Sequence, residues 1–174
     1  APVVSGTVAL MLQANPGLTP PLIKAMLQYS AQPIAGANLL QQGAGLLNAD
    51  GAVRLAKAVR TDVKTAVEAG TIAAGANLLA SGKVMPAKTS TLNGQAFNWS
   101  RVVAAGGTQI VSGDALFTKF QPIWDHRLVW AGKLARRHTV TYWPAATGVP
   151  ANTFAKAIVA APASNQSLMT AGVV

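Results

Sequence analysis

The opening stretch APVVSGTVALMLQANPGLTPPLIKAMLQYSAQ, residues 1–32, decides the fold of this chain. Residues 2–13 are apolar on nearly every face of a helix, which predicts a helix buried on all sides. Pro2 suits the first helical turn because its missing N–H costs nothing there. Gly6 on such a helix predicts a close approach of another backbone. The Asn-Pro-Gly sequence at residues 15–17 predicts that the helix ends in a turn.

A second helix is predicted where Thr19 precedes Pro20. A threonine hydroxyl can cap free N–H groups, and proline is pre-set for the first helical turn. Apolar side chains then recur at helical spacing, at Leu22, Ile23, Met26, Leu27 and Tyr29. Residues 32–42 are predicted to form a loop.

A third, shorter helix is predicted within GAGLLNADGAVRLAKAVR, residues 43–60. Its two leading glycines permit a tight turn, and Asn48 can cap the helix. Basic residues fall near its C-terminus, where the helix dipole favours them. Residues 62–69 are predicted to extend this helix or to form another one that stops at Gly70.

These three segments resemble, in order and spacing, the end of the catalytic domain of subtilisin-like serine proteases. Residues 1–6, Ala-Pro-Val-Val-Ser-Gly, match the last six positions of the family motif GTSMAAPxVSG. NPGLTP matches at residues 15–20, and GxGxxNAxxAV matches at residues 43–53. The resemblance implies a subtilisin-like three-layer α/β domain, of which residues 1–61 would form the C-terminal helices.

The resemblance implies that the catalytic groups lie outside this chain. The family uses an Asp, a His and a Ser, with an Asn side chain and the serine's own N–H stabilising the oxyanion. The nucleophilic serine is expected about three places before the first residue, at the start of the first helix. The residues expected to flank and support it are Ala1, Pro2, Val4, Ser5 and Gly6. The chain alone is therefore expected to be inactive, and protein or peptide substrates would be bound by the missing N-terminal part.

The sequence shows no catalytic or metal site of its own. Asp125 and His126 are neighbours, and on a strand their side chains would point to opposite faces. Serine precedes glycine at Ser5, Ser81 and Ser112. Such a pair signals a turn more often than a nucleophile. His126 and His138 stand apart from any clustered carboxylates and the chain has no cysteine, so neither a metal nor a cofactor is predicted.

Composition restricts the class of protein. The chain has 174 residues, 51% hydrophobic and 11% charged, with a net charge of +9. Typical domains carry about 25% charged residues, so the low value suggests an excerpt dominated by buried segments. Prolines and polar residues interrupt every apolar run before the roughly 18–20 residues that a membrane span needs. We expect a C-terminal excerpt of a longer protein that the family resemblance places outside the cell.

The pattern changes from helices to short strands in the second half. Residues 83–94 are predicted to form a loop or linker. Strand-like runs follow at residues 96–103, 108–111, 127–132 and 138–143. The sequence thus predicts three segments, which are the end of a peptidase domain at 1–61, a helix and linker at 62–94, and a β-rich extension of short antiparallel strands at 95–174.

A basic cluster in the extension supports alternative functions. Lys133, Arg136 and Arg137 precede His138, with Trp130, Tyr142 and Trp143 nearby. Basic residues beside aromatic ones suit single-stranded nucleic acid or an anionic polymer, but no nucleic-acid-binding signature accompanies them, so no specific nucleic acid is predicted. The alternatives are a non-catalytic interaction module formed by residues 96–174 and a basic polyanion-binding domain.

Overall fold

The computed structural model describes residues 1–105, 109–131 and 134–137. Five helices come first, and short strands follow, with a sixth short helix between the fourth and fifth strands. The helices are α1 (Pro2–Ala14), α2 (Pro20–Tyr29), α3 (Leu39–Gln42), α4 (Ala49–Ala58), α5 (Val63–Ala69) and α6 (Ala115–Thr118). The strands are β1 (Thr89–Leu92), β2 (Gln95–Asn98), β3 (Val102–Ala105), β4 (Gln109–Ser112), β5 (Leu128–Ala131) and β6 (Leu134–Arg137). A short 3₁₀ turn covers Pro122–Trp124. The fold is mixed, with α and β elements.

The strands pair in sequence order as three antiparallel two-stranded sheets, β1–β2, β3–β4 and β5–β6. Antiparallel strands are therefore confirmed within the predicted runs 108–111 and 127–132, and residues 96–103 divide between β2 and β3. The sequence did not predict β6. The predicted strand at residues 138–143 lies outside the described residues. The prediction of a plain loop at residues 83–94 is wrong in its second half. There β1 pairs with β2 across a turn in which Asn93 and Gly94 both have positive φ, the geometry that hairpin turns require.

Helices α2, α4 and α5 lie where the sequence predicts them. Asn48 caps α4 by accepting a hydrogen bond from the Gly51 amide at 3.1 Å, and α5 stops at Gly70, whose φ of 69° is left-handed. The expected cap at Thr19 is wrong. Its hydroxyl instead donates to the carbonyl of Trp124 at 2.7 Å, because this distant backbone oxygen lies buried beside it.

Helix α1 forms as predicted, but the prediction that it is buried on all sides is wrong for this structure. Its buried residues are Thr7 and Met11, on the side that packs against α4. Other parts of the helix surface stay open, and Leu10 is 52% and Leu12 39% exposed. A Cβ added at Gly6 would meet no atom within 4 Å, so Gly6 marks no close approach here. The physical reason is that α4 covers one face and no other described element covers the second.

The predicted loop at residues 32–42 contains the short helix α3, which the sequence prediction missed. The Asn38 side chain accepts from the amides of Leu40 and Gln41, and the Gln41 side chain accepts from the amide of Asn38. This reciprocal capping supports a helix too short to show a hydrophobic period. Gly45 then adopts a φ of 114°, and a Cβ there would collide with the Gln32 carbonyl.

One hydrophobic core runs from Met11 to Trp124 and takes residues from all three predicted segments. Its centre is aromatic. Tyr29 contacts Phe117 edge-on at a centroid distance of 4.8 Å, and Phe117 stacks on Trp124 at 6.0 Å. The predicted segment boundaries at residues 61 and 94 stay a prediction. In this structure the side chains of the core come from both sides of each boundary.

Candidate functional site

The residues expected to flank a nucleophile lie together on the first turns of α1. Ala1, Pro2, Val4, Ser5 and Gly6 are all exposed. The Ser5 hydroxyl donates to the Ala1 carbonyl at 3.3 Å, a bond within the helix itself. Serine hydroxyls in helices commonly bond back to the carbonyl four residues earlier. In the described residues the Ser5 hydroxyl therefore contacts backbone and no basic side chain.

Two other serines that precede glycine lie at turns. Ser81 and Gly82 form a turn in which Gly82 has a φ of 70°. Ser112 ends β4, and Gly113 follows with a φ of 103°. Both glycines occupy the left-handed region that favours glycine. The expectation of a turn is confirmed for these two pairs and is wrong for Ser5 and Gly6, which lie inside α1.

The neighbours Asp125 and His126 contact different side chains. Asp125 binds the Arg127 guanidinium through both carboxylate oxygens, at 2.9 and 2.8 Å. His126 Nε2 lies 3.5 Å from Glu68 Oε1 on α5. The pair sits after the 3₁₀ turn rather than on the strand that the sequence analysis considered. The contact of His126 with Glu68 joins this segment to α5, whereas Asp125 and Arg127 pair within the segment.

The most connected polar group in the described residues is the hydroxyl of Ser90. Three donors lie within hydrogen-bond distance of it and share its two lone pairs, Arg54 Nη2 at 2.7 Å, Asn48 Nδ2 at 3.0 Å and Trp99 Nε1 at 3.0 Å. It also donates to Asp50 Oδ2 at 2.8 Å. We call these five residues the Ser90 cluster. The hydroxyl is saturated with partners and buried, so it joins β1 to α4 and to Trp99 but is not available as a nucleophile.

A second group of polar contacts surrounds the Tyr29 hydroxyl. The Tyr29 hydroxyl donates to Asp114 Oδ1 at 2.9 Å, and Lys88 Nζ lies 2.6 Å from Asp114 Oδ2. The hydrogen bond from Lys88 lowers the pKa of Asp114, with a smaller contribution from Tyr29. Burial raises the pKa of Tyr29 far above its usual value, and the bond to Asp114 adds to that rise. Both groups therefore stay in their ordinary protonation states near neutral pH, as in a structural contact.

The sequence did not predict the hydrogen bonds by which Asn15, just after α1, contacts the end of α4. Its side-chain amide donates to the carbonyls of Ala56 and Val59, both at 2.9 Å, and its oxygen accepts from the Gly17 amide. Asn15 thereby satisfies carbonyls at the end of α4, which no residue of α4 can reach. The NPG sequence marked this position as a turn, but it contains no signal of the distant partner.

No group of three His, Asp or Glu side chains within residues 1–105, 109–131 and 134–137 is placed to hold a metal ion. None of the helices described has both the length and the apolar character needed to cross a bilayer. In the predicted basic cluster, the backbone of β6 includes Arg136 and Arg137, whereas Lys133 and His138 lie outside the described residues.

Comparison with known proteins returns no match. No family model, no curated protein and no solved structure is significantly similar to this chain. Its function must therefore be argued from its own residues.

Proposed function

We propose that this chain is the C-terminal part of a secreted subtilisin-like serine endopeptidase, whose Asp-His-Ser triad lies upstream of Ala1. The observation that carries the proposal is the two-sided character of α1. Thr7 and Met11 pack against α4, while Val3, Val4, Leu10 and Leu12 are between 39% and 73% exposed at other places along and around the helix. Large apolar side chains left exposed on one element are typical of a surface that another part of a protein covers.

The position of the sequence motif on α1 supports the same proposal. The motif residues 1–6 lie at the N-terminal end of the helix, where free N–H groups and the helix dipole favour negative charge. A serine just before Ala1 would place its developing oxyanion near this positive end. In such an enzyme the described residues act by position, since none of them would contact the scissile bond.

Packing and hydrogen bonds join α1 to the rest of the described residues. Thr7 and Met11 are buried, and Asn15 fastens the end of α1 to the carbonyls of α4. A nucleophile at the start of α1 would therefore stand on a helix whose far end is tied to a packed core. Rigid support of a catalytic group from packed neighbours is what transition-state stabilisation requires.

The test uses the complete protein encoded by the parent gene. We expect a serine about three places before Ala1, and we expect its replacement by alanine to remove casein hydrolysis, as loss of a nucleophile does. The matched control is Ser5→Ala, which changes a serine on the same helix whose hydroxyl bonds only to backbone in the described residues. Ser5→Ala should keep activity within about threefold of the unchanged enzyme.

The isolated chain of 174 residues should show no peptidase activity. Casein turnover by the purified chain, abolished by a serine-directed inhibitor, would contradict the proposal. A parent gene without a serine at the expected place would also contradict it and would favour a non-catalytic protein.

A further inference from the structure

An exposed loop precedes β1 and has no role in the peptidase proposal. Residues 81–84 are exposed, and Val84 is 78% exposed. The amide of Lys83 donates to the carbonyl of Ala80 at 3.0 Å, which is the one hydrogen bond that residues 81–86 make within the described part of the chain. We call residues 81–86 the Lys83 loop. Its backbone is therefore open to another molecule at Lys83 and Val84.

Both ends of the Lys83 loop are fastened to α4. The Ala80 amide donates to the Ala58 carbonyl at 2.9 Å, and the Ala87 carbonyl accepts from Arg54 Nη1 at 3.2 Å. Near the second attachment, Met85 packs against the hydrophobic core. A break in the backbone between these two attachments would leave both new chain ends close to α4.

The other lysines and arginines of the described residues are held more firmly. An endopeptidase must draw the bond that it cleaves away from its neighbours, so exposed loops are cut in preference to helices and strands. Residues in helices or in β6 are Lys24, Arg54, Lys57, Lys64, Arg136 and Arg137. Residues held by hydrogen bonds to distant backbone or by an ion pair are Arg60, Lys88, Arg101, Lys119 and Arg127. The exposed loop around Leu40 offers no such site, because the sequence has no lysine or arginine from position 25 to position 53.

The Lys83 side chain is available for recognition. The ion pairs of the described residues use other cations, so no acidic side chain there competes for Lys83. Endopeptidases that cleave after a basic residue bind that side chain in a pocket with an acidic group. The Lys83 loop thus presents both an accessible backbone and a side chain that such a pocket accepts.

Contacts that cross the Lys83 loop join the two parts of the chain that a cut would create. The Leu78 amide donates to the Thr118 carbonyl at 3.0 Å, and the Ser100 amide donates to the Ala31 carbonyl at 2.8 Å. The hydrophobic core takes residues from both parts. Loss of one peptide bond inside the loop breaks none of these contacts.

We propose that the bond between Lys83 and Val84 is a proteolytic processing site, cleaved by an endopeptidase specific for basic residues, and that the two pieces remain one folded molecule. Water adds to the Lys83 carbonyl carbon, the bond to the Val84 nitrogen breaks, and that nitrogen takes a proton. The products are a carboxylate at Lys83 and an ammonium group at Val84. The proposal treats this chain as a substrate, so it does not depend on the peptidase proposal.

The experiment is limited digestion of the full chain by trypsin, with the pieces identified by mass spectrometry. Among cuts within the described residues, we expect the first to end one piece at Lys83 and to begin another at Val84. Lys83→Gln should slow this first cut about tenfold or more, because the remaining sites need local unfolding. Lys83→Arg should be cut like the unchanged chain. The matched control is Lys57→Gln, which changes an exposed lysine on α4 and should keep the rate within about twofold.

Gel filtration of the cut chain tests whether the pieces stay together. They should elute as one species in buffer and as two in concentrated urea, and circular dichroism in buffer should match that of the uncut chain. Three outcomes would overturn the proposal. These are an earlier cut after another basic residue of the described ranges, an unchanged rate for Lys83→Gln, and separation of the pieces without urea.

Discussion

Buried polar side chains hold distant parts of this chain together. Asn15 bonds to carbonyls 41 and 44 residues later, and Thr19 bonds to a carbonyl 105 residues later. The Ser90 hydroxyl contacts four partners from two other parts of the chain, the start of α4 and Trp99. A buried donor or acceptor without a partner costs free energy, so each of these residues favours one arrangement of its neighbours over others.

Asp114→Asn should lower stability at neutral pH and should matter less in acid. The ion pair with Lys88 lowers the pKa of Asp114 in the folded state, so its stabilisation is fully present above the unfolded value of about 3.9. It is lost as pH falls through the lower folded-state pKa. Because the Asp114 side chain is 44% exposed, we expect a loss of only about 0.5–1 kcal/mol at about pH 7 and almost none at about pH 2.

The measurement for Asp114 is urea unfolding at several pH values, followed by circular dichroism. Lys88→Ala is the control, because it removes the same ion pair from the other side and should give the same dependence on pH. A loss that is equally large at neutral and acid pH would show that the ion pair is not its cause.

Helix α1 leaves several large apolar side chains exposed. Its sequence is apolar throughout, yet one side lies open to water. The turn that follows it is tightly packed by contrast. A Cβ at Gly17 would collide with the carbonyl of Thr61, and the Gly17 carbonyl accepts from the Lys64 amide. Gly6 in α1 and Gly17 in the turn after it therefore differ in their tolerance to substitution.

Gly6→Ala and Gly17→Ala should change the stability of this chain in opposite directions. Alanine at Gly6 meets open space inside a helix and should stabilise by about 0.5–1 kcal/mol. Alanine at Gly17 should destabilise by about 1–3 kcal/mol, because the Thr61 backbone must move. Urea unfolding of the two variants checks both signs, and a destabilising Gly6→Ala would contradict the open position of α1.

The effect at Gly6 should reverse in the complete protein if α1 is covered there. Gly6→Leu in that protein should destabilise by about 1–3 kcal/mol through overpacking. An unchanged melting temperature would contradict the proposed burial of α1.

At the scale of the whole molecule, the segments before and after residue 94 share one core. The Arg60 amide donates to the Leu78 carbonyl, and the Leu78 amide donates to the Thr118 carbonyl. Trp99 lies 6.3 Å from Tyr29 between ring centroids, and the Arg54 guanidinium lies 4.9 Å from Trp99. The helices of the first half thus depend on aromatic residues of the second.

A chain shortened to residues 1–94 should lose cooperative unfolding. It lacks the core residues Trp99, Val103, Leu116, Phe117, Phe120, Ile123 and Trp124. Without them the buried faces of α2 and α4 lie open to water, and isolated helices of this length are marginal. Urea titration followed by circular dichroism should give a sloping line for the shortened chain and a sigmoid for the full chain. A sigmoid for both would show that residues 1–94 fold alone.

Local signals in the sequence located most of the helices but few of their partners. The apolar period of α2, the cap at Asn48 and the stop at Gly70 depend on residues close in sequence, and all three lie where predicted. The short helices α3 and α6 were missed, because four residues cannot show a helical period. The Ser90 cluster was missed because its members are far apart in sequence.

The sequence by itself indicated the order of α1, α2 and α4 and the stop of α5 at Gly70, because propensity, capping and turn chemistry act within a few residues. It left open whether residues 62–69 extend α4 or form a separate helix. It also carried the motif at residues 1–6 on which the peptidase proposal depends. Only the tertiary structure decided which faces are buried, what Thr19 and Asn15 bind, and which apolar side chains stay in water. Burial depends on contacts between residues far apart in the chain, and no local pattern specifies them.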